Sequence, residues 1–409
     1  MYYPFNPLSH YNKFGYYRVG TNLTYSKWEA LQISSQTKSP VEWVFNDDEY
    51  GRMDWTNEPQ ETLSGLYRRR AQQIRDQYDY VVIMYSGGAD SHNVLMSFLE
   101  NGISVDEVAH MVELEGDRDP DSFANAEIVK VAWPVAKNLI TEKCPTAKHR
   151  VIDITQIILD LPVLIDSEEY ITATSAWMTP ANMARSFLRE RIPEYINLIA
   201  AGKKLCFVWG GDKPNLAVLN DIQNNQQNYA IVFSDRESCL VSPRQKYLAR
   251  PWEHDEFFYW SPDLPELVCK QAHILKNLLK IPRDQTFPGH YSFDFQSQFR
   301  DFGWTVQNQK LCVLSKDAGH TAIYPYWDIS TFTSGKTVSR VFSARDKWLF
   351  KDISATSTGN LFQSVVANAK RNIAWRGEKQ GFAVNFSRIY PLEKINDISG
   401  YRIMYPYDN

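Results

Sequence analysis

The chain has 409 residues, of which 44% are hydrophobic and 22% charged, and its formal net charge is −4 at pH 7. This length allows two or three domains with a large core, and the composition is that of a soluble globular protein. The negative balance provides no overall basic field, so nucleic-acid binding is unsupported unless a local basic patch supplies it.

Neither the cysteines nor the apolar segments point to export or to a membrane. The five cysteines are widely spaced and form no C-x-x-C pair, which favours reduced thiols. The first residues lack the basic and apolar regions of a signal peptide, and no uncharged apolar run is long enough to span a bilayer. We therefore expect a cytoplasmic protein without a membrane partner, and its oligomeric state stays open.

The first 78 residues are rich in aromatic side chains and end in a predicted helix. Residues 63–78 have the spacing of a charged amphipathic helix that contains Arg68, Arg69 and Arg70. Such a run is compatible with a nucleic-acid patch, but charge runs are more often the solvated face of a helix. We therefore predict that these arginines face water.

From residue 80 onward, apolar strand-like segments alternate with helical segments. The predicted strands are 81–85, 108–114, 149–154 and 205–209. The predicted helices are 89–101, 123–143 and 182–201. Pro134 is expected to kink the second helix, Pro193 to break the third, and Gly202 to cap it. This alternation predicts βαβ units and a doubly wound parallel sheet of the α/β class.

The first of these strands runs directly into a glycine-rich turn at residues 86–91, Ser-Gly-Gly-Ala-Asp-Ser. Glycines permit a positive φ, and consecutive amides at a helix N-terminus form an anion-binding nest. We therefore predict a phosphate site with these nucleotide-binding residues: Ser86, Gly87, Gly88, Ala89 and Ser91. Asp90 would repel phosphate unless a cation lies between them, which predicts Asp90 as a Mg²⁺ ligand.

A second glycine turn follows the last predicted strand, with Gly211 and Asp212 in its centre. Because parallel strands end at the same edge of a sheet, this turn should face the first one. Gly211 is then expected to contact phosphate, and Asp212 to share the metal with Asp90. Lys213 is either a point cation for phosphate or a surface lysine of an ordinary turn.

Three regions are expected along the chain. Residues 1–78 form an aromatic-rich N-terminal region, residues 79–280 the nucleotide-binding domain, and residues 281–409 a C-terminal α+β region without a clear repeat. The second region closes with a polar loop, two β-like segments and a helix at 263–280. The surplus of aromatic residues is expected to serve core and interface packing.

The turn at 86–91 resembles the pyrophosphate loop, Ser-Gly-Gly-x-Asp-Ser, of the N-type ATP pyrophosphatases. All fixed positions of that motif match. Residues 125–132, 180–191 and 204–212 are similar to the asparagine synthetase branch, although Lys213 stands where that branch has glutamate. The resemblance implies an adenine nucleotide alpha hydrolase-like (HUP) fold, here with aromatic-rich N- and C-terminal additions.

The resemblance also implies a reaction. An ATP-dependent ligase or amidotransferase of this kind uses ATP and Mg²⁺ to adenylate a carboxyl or carbonyl oxygen, releases pyrophosphate, and passes the product to a nitrogen nucleophile. The acceptor would be a small molecule, a nucleobase or a peptide group. The glutaminase cysteine of glutamine-dependent asparagine synthetases is not present at the start of this sequence, so we expect ammonia or an amine from elsewhere.

Further site residues follow from the same resemblance. Adenine should lie near Val112 and Glu113, and Glu113 either accepts a ribose hydroxyl or is an exposed strand residue. Asp90, Lys213 and Lys347 are the candidate catalytic charges, although a charge cluster such as the one around Lys347 is usually a solvated face. Two other functions stay open: a sulfonucleotide (PAPS) reductase-like enzyme and a non-catalytic nucleotide-binding module. His92 is expected to pack on the helix rather than to act as a base.

Overall fold

The computed structural model of the protein describes residues 14–25, 27–112, 128, 132–157, 160, 184–211, 215–221, 223–224, 226–235, 255–279, 322–326, 385–395 and 397–404. Its strands are β1 (Tyr16–Val19), β2 (Asn22–Thr24), β3 (Val41–Val44), β4 (Tyr80–Met84), β5 (Glu107–Val112), β6 (Lys148–Asp153), β7 (Leu205–Trp209), β8 (Asn215–Asp221), β9 (Gln226–Val232), β10 (Asp255–Phe257), β11 (Tyr390–Pro391) and β12 (Tyr401–Met404). Its α-helices are α1 (Lys27–Thr37), α2 (Asp47–Tyr50), α3 (Leu63–Gln77), α4 (Ala89–Leu99), α5 (Trp133–Lys143), α6 (Leu188–Arg191), α7 (Pro193–Ala200) and α8 (Pro265–Leu279).

A five-stranded parallel sheet flanked by helices forms the centre of the protein, in the strand order β10-β7-β4-β5-β6. Strand β4 lies in the middle because Val81, Val82 and Ile83 are apolar and fully buried, as expected for a strand covered on both faces. The predicted α/β class and the four predicted strands are confirmed to within about one residue where they are described. The fifth strand, β10, was not predicted as part of this sheet.

The prolines of the predicted helices lie where helices begin. Helix α5 has Pro134 in its first turn, where the missing N–H costs nothing. Most of the predicted helix before it, residues 123–127 and 129–131, lies outside the described residues, so the kink at Pro134 stays a prediction. Pro193 starts α7 after a break at Ile192, and Gly202 follows that helix with a φ of +77°, so the predicted break and cap are confirmed. The residues before 184 in the predicted third helix lie outside the described residues.

The arginine run on α3 is only partly exposed. Arg68 and Arg69 face water as predicted, but Arg70 is fully buried, which corrects our expectation for that residue. Its Nη2 atom donates to Glu256 Oε2 at 2.6 Å and to the Phe257 carbonyl at 3.1 Å. The Tyr78 hydroxyl donates to the other oxygen of Glu256 at 2.6 Å. This buried ion pair joins α3 to β10.

Two antiparallel sheets lie outside the parallel one, in the orders β2-β1-β3 and β11-β9-β8-β12. The second sheet pairs β8 and β9 as a hairpin, so part of the polar stretch that we predicted as a loop is a strand. Aromatic rings from distant parts of the chain pack together nearby, and the Tyr50 and Phe233 rings stack at 4.7 Å. Many of the aromatic residues therefore serve the core, as predicted.

The described cysteines Cys144, Cys206 and Cys269 are buried free thiols. Within the described part of the chain, no helix is both long and apolar enough to cross a membrane.

Replacing Glu256 by Gln should lower the free energy of unfolding by about 3 kcal/mol, because it removes the buried carboxylate that pairs with Arg70 at 2.6 Å. Among the described residues, the remaining acid near Arg70, Asp263, is 3.9 Å away and 40% exposed. Urea denaturation, monitored by circular dichroism, measures this change.

The control for that variant is Glu42→Gln, since Glu42 pairs with Arg18 at 2.6 Å with about half of each side chain exposed. We expect this exposed pair to contribute less than about 1 kcal/mol. Equal losses in both variants would contradict the importance of burial.

Candidate functional site

The turn after β4 has the backbone that its two glycines require. Gly87 has a φ of +76°, and a Cβ atom there would lie 2.6 Å from the Ala132 Cβ. Gly88 is the N-cap of α4 and has no side chain with which to cap the helix. The strand, turn and helix predicted from the sequence are therefore all present, and glycine is needed at position 87 for both conformation and space.

The two serines of the motif hold the turn together. The Ser86 amide donates to the Ser91 Oγ at 3.2 Å, and that Oγ donates to the Gly88 carbonyl at 3.1 Å. The two hydroxyls lie 3.2 Å apart. Ser91 is buried whereas Ser86 is exposed as a residue, so Ser91 shapes the loop from inside. Because the Ser91 hydrogen goes to the Gly88 carbonyl, the Ser86 hydroxyl is the donor in the contact between the two hydroxyls.

Four consecutive amides of the turn have no hydrogen-bond acceptor within the described structure. Among the described residues, none accepts a hydrogen bond from the amides of Gly87, Gly88, Ala89 or Asp90. Helix α4 begins at Ala89, so its positive dipole end lies at the same place. Unpaired amides beside a helix N-terminus form a site of positive potential that suits an anion.

The second glycine turn lies directly against the first. A Cβ atom on Gly210, which follows β7, would lie 2.9 Å from both the Asp90 carbonyl carbon and the Ser91 nitrogen. A Cβ atom on Gly211, the next residue, would lie 3.6 Å from Phe257 Cδ1, which is an ordinary van der Waals contact. The two turns thus share one edge of the sheet, as the sequence predicted.

Two tyrosines that the sequence interpretation missed hold Asp90. The Tyr324 hydroxyl donates to Asp90 Oδ1 at 2.5 Å, and the Tyr259 hydroxyl donates to the Asp90 carbonyl at 2.8 Å. Both tyrosines are fully buried, which raises the pKa of each phenol and keeps it protonated as a donor. Tyr259 lies 169 residues and Tyr324 lies 234 residues from Asp90 along the chain, so no local sequence signal connects them to the turn.

The remaining predicted site residues divide into two groups. Val112 is fully buried, and its carbonyl accepts a hydrogen bond from the Ile154 amide at 2.9 Å, so this residue belongs to the sheet core. Its role beside adenine stays a prediction. The other four lie outside the described residues: Glu113, Asp212, Lys213 and Lys347. The described residues contain no group of three or more potential metal-ligating acids, histidines or cysteines.

Two histidines near the turn are buried and neutral. His92 Nδ1 shares a hydrogen bond of 3.0 Å with the Tyr85 hydroxyl, and burial lowers the pKa of His92 to about 4. The prediction that His92 packs on the helix is confirmed. His110 on β5 shares a hydrogen bond of 2.8 Å with His149, and burial together with that neighbour lowers the pKa of His110 to about 3.

No protein-family model matches this chain, and no curated protein is significantly similar to it in sequence. Membership of the superfamily that the turn resembles therefore stays a prediction.

Replacing Gly210 by Ala should destabilise the protein by about 1–3 kcal/mol, because the new methyl group would overlap the Asp90–Ser91 backbone. Chemical denaturation of the purified variant measures the loss. The neighbouring Gly211→Ala is a matched control and should stay within about 0.5 kcal/mol of the wild type. Similar losses in both variants would contradict the close approach of the two turns.

The fold should also lose stability in acid through His110. Because the pKa of this histidine is about 3 in the fold and about 6.5 when unfolded, the unfolded state takes up the proton first. The contribution of neutral His110 to the free energy of unfolding is complete above pH 6.5. It falls as the pH drops towards 3, by no more than about 1.4 kcal/mol per pH unit. Urea denaturation at a series of pH values measures the free energy of unfolding. Between neutral and acidic pH this free energy should fall less steeply for His110→Gln than for the wild type. Equal pH dependence in the two proteins would contradict the prediction.

Proposed function

We propose that this protein is an ATP-dependent enzyme that adenylates a carboxyl or carbonyl oxygen of its substrate, releases pyrophosphate and transfers the product to a nitrogen nucleophile. The observation that carries the proposal is the meeting of two glycine turns, one with the complete Ser-Gly-Gly-x-Asp-Ser motif, where the strand order of the parallel sheet reverses.

The position of the turns supports nucleotide binding. In chain order the sheet grows from β4 through β5 to β6, and it then returns to the other side of β4 with β7 and β10. In open α/β sheets, ligands bind beyond the carboxyl ends of the strands at such a reversal. The turns after β4 and β7 lie on the two sides of that point. This arrangement is compatible with the doubly wound fold that the motif implies.

The turn after β4 suits the phosphates of ATP. The amides from Gly87 to Asp90 supply donors, and α4 adds the positive end of its dipole. Ser86 would add its hydroxyl by turning from Ser91 Oγ to the phosphate. In the proposed reaction these donors stabilise the charge that grows on the leaving pyrophosphate. Removal of one such preorganised donor typically costs about 3 kcal/mol of transition-state stabilisation.

Asp90 fits a role as a Mg²⁺ ligand. Its Oδ1 atom accepts a hydrogen bond from the Tyr324 hydroxyl, whereas no described residue donates a hydrogen bond to Oδ2. A half-buried carboxylate beside an anion nest is repulsive toward phosphate unless a cation lies between them. When bound, Mg²⁺ would neutralise phosphate charge. We propose Asp212 as a second ligand and Lys213 and Lys347 as cations for the pyrophosphate.

The described cysteines do not support the reductase alternative. Cys144, Cys206 and Cys269 are all buried, and burial raises the pKa of Cys269 to about 12. A thiol nucleophile needs a lowered pKa and access to its substrate. In the proposed reaction ammonia or an amine is supplied separately as the nitrogen donor.

Addition of ATP with Mg²⁺ should raise the melting temperature of the wild-type protein, and Asp90→Ala should abolish the Mg²⁺-dependent part of that rise. A ligand that binds only the folded state stabilises it by an amount that grows with the logarithm of the ligand concentration relative to Kd. Differential scanning fluorimetry with ATP in Mg²⁺ and in EDTA measures both parts. A pyrophosphate-release assay over candidate acceptors then tests for catalysis.

Asp76→Asn is the control, because Asp76 is an exposed acid near the amino end of β4, away from the turn. Equal shifts in the wild type and Asp90→Ala would refute the metal-bridged site. Normal ATP binding without pyrophosphate release on any acceptor would favour the non-catalytic binding module.

A further inference from the structure

Residues 322–326, a short segment from the C-terminal third of the chain, pack beside the glycine turn after β4. Ile323 and Tyr324 are fully buried. The Tyr67 hydroxyl on α3 donates to the Ile323 carbonyl at 2.5 Å, and the Tyr324 and Tyr259 rings pack at 5.4 Å between centroids. The Tyr324 hydroxyl is thereby brought to the Asp90 carboxylate.

Tyr259 and Tyr324 hold different parts of Asp90. Tyr259 contacts the backbone carbonyl, and its own hydroxyl accepts from Asn93 Nδ2 at 3.2 Å. Tyr324 contacts the side chain through Oδ1 alone. The first bond therefore supports the start of α4, whereas the second sets the rotation of the carboxylate.

We propose that Tyr324 is a positioning residue for the divalent cation: by occupying Asp90 Oδ1, it leaves Oδ2 as the one oxygen that Asp90 offers to the metal. This inference rests on the proposed function. It also makes residues 322–326 part of the nucleotide site, although they lie beyond the region that resembles the ATP pyrophosphatases.

The geometry has a consequence for the choice of metal. Mg²⁺ requires near-octahedral coordination and takes one oxygen from each carboxylate, whereas Ca²⁺ readily accepts both oxygens of one carboxylate. A carboxylate with one oxygen held by a tyrosine hydroxyl suits Mg²⁺ better. Partners that orient a metal ligand in this way typically contribute 10–100-fold to metal affinity.

The test compares Tyr324→Phe with Tyr195→Phe. Tyr195 is a matched control because it is also fully buried and donates to a carboxylate, Glu107 Oε1 at 2.7 Å, at the amino end of the sheet. Calorimetric titration with ATP in EDTA, in Mg²⁺ and in Ca²⁺ separates phosphate binding from metal binding. Urea denaturation of each variant reports its folding.

Tyr324→Phe is expected to weaken the Mg²⁺-dependent part of ATP affinity about tenfold, to weaken the Ca²⁺-dependent part less, and to leave binding in EDTA unchanged. Tyr195→Phe should change neither metal-dependent part. In an Asp90→Ala background, Tyr324→Phe should have no further effect, because the carboxylate that it positions is gone.

The outcomes separate this inference from the proposed function. If the wild type shows no Mg²⁺-dependent ATP binding, both are overturned. If the wild type binds normally and Tyr324→Phe keeps its Mg²⁺ dependence, or loses no more than the folded Tyr195→Phe variant, only the positioning role is overturned. If Tyr324→Phe weakens the Mg²⁺-dependent and the Ca²⁺-dependent parts of ATP affinity equally, the inferred preference of Asp90 for Mg²⁺ over Ca²⁺ is overturned.

Discussion

The close pairing of β4 with β7 is the constraint on which the candidate site depends. These strands lie side by side at the centre of the parallel sheet, in register from Tyr80 opposite Leu205 to Met84 opposite Trp209. At their carboxyl ends the two glycine turns come so close that Gly210 has no room for a side chain. Both turns therefore open at one place, where the amides at the start of α4 have no acceptor among the described residues.

Buried polar groups hold this arrangement together across long distances in the chain. Arg70 and Glu256 join α3 to the edge strand β10, and the Tyr67 hydroxyl anchors the segment around Ile323. Lys27 forms a buried ion pair with Asp235 at 2.6 Å, which links α1 to the end of β9. A buried charge without its partner is costly, so each pair specifies one arrangement of the elements that it joins.

Much of the central sheet was predictable because its strands are locally apolar. Residues 81–83 and 205–208 are hydrophobic runs bounded by turns, and they are buried as such runs predict. The place of β10 in the parallel sheet was not predicted, because this strand begins with two acids, Asp255 and Glu256, which are typical of a protein surface. Both acids are buried and paired, with Trp209 Nε1 at 2.8 Å from Asp255 and Arg70 at 2.6 Å from Glu256. The same pairing explains why Arg70 does not face water.

The sequence alone determined the glycine turn after β4, because its pattern lies in six consecutive residues whose glycines and hydroxyls have local roles. It also indicated the second turn, since parallel strands end on one edge. Only the tertiary structure decided what holds Asp90: Tyr259 and Tyr324 reach it from far along the chain. Their contacts depend on the packing of β10 and of residues 322–326 beside α4, and no local pattern encodes packing between segments so distant in sequence.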